Sequence, residues 1–234
     1  MNEIKGAAVG RFAPVRRNTL KDQSYAELRR ALITGRFEPG EHVTVKLLAE
    51  QLESGIMPVR EAVQRLVAEG ALLNLPSGRV CVPSLSRDEF DEVVEVRLQL
   101  EPLCCRKAAT HDSAELVEDL VILQRQLKDA AWGKGPEATL WANHQFHFRI
   151  YRHAGSRLMF DLIESVWLRF GPMMTHTLKR EANSQEYVLS ELKLHEGLCA
   201  ALAAGDGRKA ASWMKQIIEG TADWYRKTFP FQEE

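Results

Sequence analysis

Residues Val45 to Leu66 constrain this chain more than any other stretch. Apolar Val45, Leu48, Ala49 and Leu52 recur with helical spacing, and Val59, Ala62, Val63 and Leu66 repeat the pattern. Between the two stripes stands Glu53-Ser54-Gly55, room for a tight turn and nothing more. Two helices joined by a three- or four-residue turn containing Gly form a helix-turn-helix, whose second helix can enter the major groove of DNA. Gly55 stands where the second helix needs its N-cap, and Gly there is only about a few tenths of a kcal/mol worse than Ser or Thr. Pro58 falls in the first turn, where a missing N–H costs no helical bond.

The flanks fit a small domain around this motif. Met1 to Arg17 carries Lys5, Arg11, Arg16 and Arg17 among glycines and Pro14, and is expected to be a flexible basic arm. It is either an ordinary terminus or an arm that touches phosphates. A helix follows, capped by Thr19 or Asn18, with Tyr25, Leu28, Leu32 and Ile33 on one face and an end at Gly35. Ser24 with Glu27 offers a competing capping box. After the motif, Leu72–Leu75 and Val80–Val82 flank Pro76-Ser77-Gly78-Arg79, which reads as two short strands and a turn, a wing. Arg79 at its tip either reaches the DNA backbone or minor groove or is a solvated turn residue. Residues 18–82 therefore form the expected winged helix-turn-helix domain, and Pro83-Ser84-Leu85-Ser86 a linker over 83–86, with Ser86 suited to cap the next helix.

From residue 87 to 230 the pattern is helical almost throughout. Six segments, the first from about Phe90 to Ala109 and the last Gly207–Phe229, predict an all-α bundle behind the β wing, so the fold class is mainly α. Gly171-Pro172 is expected to bend or break the fourth segment. A chain of 234 residues exceeds a bare DNA-binding module, and its charge is uneven. Through Val82 there are 12 Lys and Arg against 9 Asp and Glu, and from Pro83 onward 19 against 23. A mildly basic front and an acidic back fit a DNA reader joined to a domain of another kind, although a difference this small also arises by chance. Cys81, Cys104, Cys105 and Cys199 form no Cys-x-x-Cys pair, which argues against a structural zinc site. No apolar run suits a signal peptide or a membrane span, so the expected location is the reducing cytoplasm, with no membrane partner.

Two sets of residues carry a family resemblance. Gly35, Pro39-Gly40-Glu41, Leu48-Ala49-Glu50, Met57-Pro58-Val59-Arg60-Glu61-Ala62, Leu66 and Glu69-Gly70 stand in the order and spacing of the GntR superfamily of bacterial transcription regulators, which the front segment resembles. Arg97-Leu98-Gln99-Leu100-Glu101, Asn143-His144-Gln145-Phe146-His147, Tyr151 to Gly155, His195 and Ala204-Gly205-Asp206 resemble the FCD effector domain of the FadR subfamily. One departure stands out: Ile56 occupies a position where many members carry a DNA-contacting Arg.

The resemblance and the chemistry together name candidate sites. Arg60, one turn into the second helix, is expected to pair with a guanine edge, the alternatives being a phosphate or a salt bridge to Glu61 or Glu53. Lys46 and Arg65 are expected at phosphates, which add affinity without sequence reading. Met57 touches a thymine methyl or simply packs. Gly55 permits close backbone approach, and Ser54 and Pro58 join this DNA-facing set by position. In the back half, the resemblance implies a cavity that metal-binding members line with an Asp and three His. Here Asn143 takes the Asp position, His147 and His195 keep two His positions, and Ile217 replaces the third. The expectation is a direct ligand site without a required cofactor, a divalent metal, if held at all, resting on Asn143, His147 and His195. Arg97 is expected to face inward, paired with Glu101 or with a ligand carboxylate. Trp141, Trp167 and Trp213 either wall the cavity or belong to the core, and His144, His153 and His176 receive no role. The expected protein is a homodimeric regulator, repressing by preference, that binds palindromic duplex operator DNA and responds to a small organic acid. Two other readings stay open: a helical hydrolase or lyase using His147 and His195, and a constitutive DNA-binding dimer without an effector.

Overall fold

In a computed structural model of the chain, residues 19–111, 114–180 and 184–231 are described. The expected arm 1–17, Asn18 and the break at Asp112-Ser113 lie outside them. Helix α1 spans Leu20–Ile33 and starts on a capping box: Thr19 N–H donates to Asp22 Oδ2 at 3.1 Å, and Asp22 N–H to Thr19 Oγ1. Ser24 is no cap but is buried mid-helix, its hydroxyl 3.4 Å from that of Ser54. Helix α2 spans Val45–Gln51, capped by the Thr44 side chain, and α3 spans Ile56–Ala68, opening on Gly55. Both stripes read in the sequence face inward: Leu48 and Ala49 of α2 meet Val59, Ala62, Val63 and Leu66 of α3 in one core with Leu28 and Leu32 of α1.

The wing holds one strand more than expected. Strands β1 (His42–Val43), β2 (Leu73–Asn74) and β3 (Val80–Cys81) form an antiparallel sheet in the order β1-β3-β2. β3 is central, with Cys81 opposite both His42 and Leu73. A two-residue strand is too short to show an alternating pattern, which is why β1 was not legible.

The bundle has the six expected helices: α4 Arg87–Ala108, α5 Ala114–Gly133, α6 Gly135–His153, α7 Arg157–Arg180, α8 Ser184–Ala203 and α9 Gly207–Thr228. Ser86 caps α4 with Glu89 as its capping-box partner, and Leu85 is already buried in the bundle core. The expected linker 83–86 thus narrows to Pro83-Ser84. Among the described residues no helix is long and apolar enough to cross a membrane.

Helix α7 corrects one expectation. It runs unbroken through Gly171-Pro172. Gly171 serves an approach rather than a break: a Cβ there would stand 2.7 Å from the Leu32 carbonyl oxygen and 2.9 Å from Ile33 Cα of α1. At Gly171 the two domains are therefore docked backbone against backbone. Leu168 of α7 completes the core of the front domain. Thr175 sits over Gly35, whose φ of +62° already favours Gly. Around this seam Arg29 pairs with Glu164, Arg36 with Glu137, and Glu38 meets His176, Lys179 and Arg180 within 3.5 Å. Gly171→Ala is expected to cost about 1–3 kcal/mol through overpacking against α1, read as a lower urea midpoint of the full chain. An unchanged midpoint would mean that the two helices do not press together in solution.

Candidate nucleic-acid interface and buried cavity

The apolar side of α3 is consumed by the core, which leaves the opposite side to solvent. Met57, Arg60, Glu61 and Gln64 follow the helical repeat along that side and are exposed. Arg60 enters none of the ion pairs among the described residues, and Glu61 pairs with Lys21 instead at 3.6 Å. The salt-bridge alternatives for Arg60 therefore find no support. Ile56 and Met57 are 50 % and 61 % exposed, large apolar groups held in water at the tip of the helix. Lys46 is exposed and loosely paired with Glu50, Arg79 is exposed just after Gly78 in the wing turn, and Gly55, Ser54 and Pro58 lie at the same end of the motif. Arg65, expected at a phosphate, is exposed and also has partners within the domain. Its guanidinium lies 3.7 Å from the Tyr25 ring centroid and bonds to Glu69 at 3.1 Å, so it ties α3 to α1. Gln64 was missed; it stands one turn beyond Arg60, where an amide can pair bidentately with adenine.

The second site is a cavity of about 50 Å³ inside the bundle. Arg97, Asn143, His147, His195 and Ile217, all picked from the sequence, line it. Trp167 lines it as well, whereas Trp141 and Trp213 do not: Trp141 lies between Arg30 and His144 at the domain seam, and Trp213 packs on Gly197. Thr139, Tyr187, Glu191 and Thr221 complete its polar lining.

A chain of hydrogen bonds fixes the protons in this site. Glu101, fully buried, accepts from Arg97 Nε at 2.6 Å and Trp167 Nε1 at 2.9 Å on one oxygen, and from Tyr151 Oη at 2.5 Å on the other. Tyr151 has a single proton and gives it to Glu101, so its oxygen accepts from His147 Nδ1–H at 3.3 Å. That leaves His147 Nε2 as a lone pair, 3.2 Å from His195 Nε2, which must donate. Both rings are neutral at pH 7: burial first, then the charge of neighbouring groups, pushes His147 far down, and burial pushes His195 down to about 4. Arg97 stays charged because Glu101 outweighs the cost of burial, and its guanidinium also lies 4.9 Å from the Trp167 ring centroid. Of the two partners considered for Arg97, Glu101 is the one present. Glu191 forms no ion pair among the described residues. Burial pushes its carboxyl up to about 7 against a single 3.4 Å bond from the Thr221 hydroxyl. Tyr151 and Glu191 sit one turn from His147 and His195 respectively, a spacing of four that could have found both.

The residues do not suit a metal ion. Asn143 offers a neutral amide oxygen and Ile217 a hydrocarbon, and among the described residues no group of three His, Cys, Asp or Glu side chains is placed to hold an ion.

An exposed reading helix on a winged domain, docked to a helical bundle with a cavity lined by apolar walls and a few polar groups, defines a two-domain DNA-binding transcription regulator. The chain belongs to the GntR family: the profile described as bacterial regulatory proteins, gntR family, matches residues 20–82, and that of the FCD domain matches 92–220. The HTH-type transcriptional regulator McbR of Escherichia coli is 30% identical over 193 residues, covering 82% of this chain and 86% of McbR. The HTH-type transcriptional repressor GlaR of the same organism is 26% identical over 198 residues, covering 83% and 90%. The solved structure of E. coli McbR/YncC superimposes with a TM-score of 0.84 at 27% identity, over 89% of this chain and 98% of that one. These relatives are regulators and not enzymes, so the hydrolase or lyase reading of His147 and His195 is set aside.

Proposed function

We propose that this chain is a homodimeric, cytoplasmic repressor whose grip on a palindromic operator is set by a small molecule in the bundle cavity. The observation that carries the proposal is the double duty of α7: Trp167, Met174 and Leu178 line the cavity, while Leu168, Gly171 and Thr175 hold the front domain. A ligand that repositions α7 repositions the reading head with it. Arg60 reads bases with Gln64 beside it, and Lys46, Arg79 and the Ser54–Pro58 turn hold the duplex. Arg65 steadies α3. Exposed Val96 on α4 and Leu158 and Leu162 on α7 offer the second copy an apolar face. The sign of regulation follows GlaR, a repressor.

The effector class inferred from the sequence is a small organic acid, met by Asn143 and, once the His147–His195 bond opens, by the two imidazoles, with Arg97 reached only if the acid displaces Glu101. No metal is needed for this. Selection from random duplexes by the full-length protein is expected to enrich two half-sites with centres about 10 base pairs apart or a multiple of it. Small molecules that raise the melting temperature are expected to weaken binding to the selected site. No enrichment at low salt would remove the DNA-reading role, and ligands without effect on operator affinity would leave a constitutive dimer.

A further inference from the structure

The charges of the cavity do not balance for an anion. Arg97 is already neutralised by Glu101 through two hydrogen bonds, of 2.6 and 3.4 Å, and Glu101 is held in turn by Tyr151 and Trp167. His147 and His195 carry no charge at pH 7. A simple carboxylate entering here finds the Asn143 amide, two imidazoles whose N–H groups are already engaged, and no free cation. Glu191 is the reverse case. It lines the cavity, forms no ion pair among the described residues, and receives one bond from a neutral hydroxyl, itself oriented by the Tyr187 O–H at 2.9 Å. Among the described residues only the Thr221 hydroxyl offsets its burial. A half-buried carboxyl of this kind either holds a proton or keeps its charge by meeting a cation. The remaining walls suit a cation, since the rings of Trp167, Tyr187 and Tyr225 line the same space.

We propose that Glu191 is the receiving group for a protonated amine, so that the effector is an amine-bearing small molecule of the amino-acid type and not a plain carboxylic acid. This rests on the reading of the cavity as an effector site and narrows its ligand. The ammonium lies against Glu191 and Thr221, and any carboxylate end is left to the neutral amide donor of Asn143.

The test uses matched probes on the full-length chain. Small amino acids and simple amines are compared with the same carbon skeletons lacking the amine, by thermal shift and calorimetry. At least one amine-bearing probe is expected to stabilise the protein in a dose-dependent way, while its amine-free counterpart does not. Glu191→Gln, which keeps the shape and removes the charge, is expected to weaken that probe at least about tenfold, as loss of one partner of a buried charge pair does. Glu191→Asp is expected to retain part of the response, and the unliganded melting temperature of each variant reports its folding. Stabilisation by amine-free acids alone overturns the amine and leaves the effector reading standing. An undiminished response of Glu191→Gln to the probe overturns the role of Glu191. A stoichiometric divalent ion in the purified protein, resistant to chelation, overturns it too, by supplying a different cation. Silence from both classes of probe overturns the amine and the effector reading together.

Discussion

Arg60→Ala is expected to lower affinity for the selected operator by about 5–150-fold per half-site while leaving random duplex nearly untouched. The range is the ~1–3 kcal/mol of discrimination that a bidentate guanine contact supplies. The structure places Arg60 where such a contact is made: exposed, one turn into α3, and unpaired among the described ion pairs. Arg65→Ala serves as the contrast. Its side chain is engaged by Tyr25 and Glu69, so its loss is expected to lower stability before it alters sequence preference. Competition binding with operator and random duplex at two salt concentrations separates the cases. Equal losses for Arg60→Ala on both duplexes, with a shallower salt slope, would reassign it to a phosphate.

The largest stability effect is expected at Glu101. Glu101→Gln leaves Arg97 charged, buried and without its counter-ion, a change that costs about 3–5 kcal/mol. For a chain of this size the melting temperature is expected to fall on the order of 10 °C. The same substitution disturbs the acceptor for Tyr151 and Trp167, and with it the proton order that presents His147 to the cavity. Replacing both partners, Arg97→Met with Glu101→Leu, is expected to recover most of the stability, because no uncompensated charge remains. Thermal melts of the two variants decide the matter. A Glu101→Gln protein melting within a degree or two of the parent would mean that this pair is solvated, contrary to its burial.

Much of this architecture was legible because it rests on local rules. Paired apolar stripes, the Thr19 and Ser86 caps and the glycine punctuation gave the motif and all six bundle helices within a few residues. What escaped depends on partners distant in sequence. β1 exists because β3 offers it an edge, and Gly171-Pro172, where a bend or break was expected, lies within an unbroken helix with Gly171 against the backbone of α1. In the cavity, the residues of the Asn143-to-Ile217 set were found because the family resemblance fixed their positions. Glu191 was not, since a lone Glu on an amphipathic helix looks like a solvated residue until the helix facing it is known. The Tyr25 ring beside Arg65 escaped for the same reason: it sits 40 residues upstream, and only packing brings it to the guanidinium that Glu69 meets one turn on.

Helix α7 fixes what can be exchanged between relatives. Residues facing the cavity and residues facing the reading head are interleaved along one rod, and each inserted residue would turn one set by about 100° relative to the other. A chimaera spliced at Pro83-Ser84 therefore inherits a mismatched seat unless the donor head also matches Leu168, Gly171 and Thr175. Swapping specificities in this fold is a problem of transplanting a joint, not of cutting a tether.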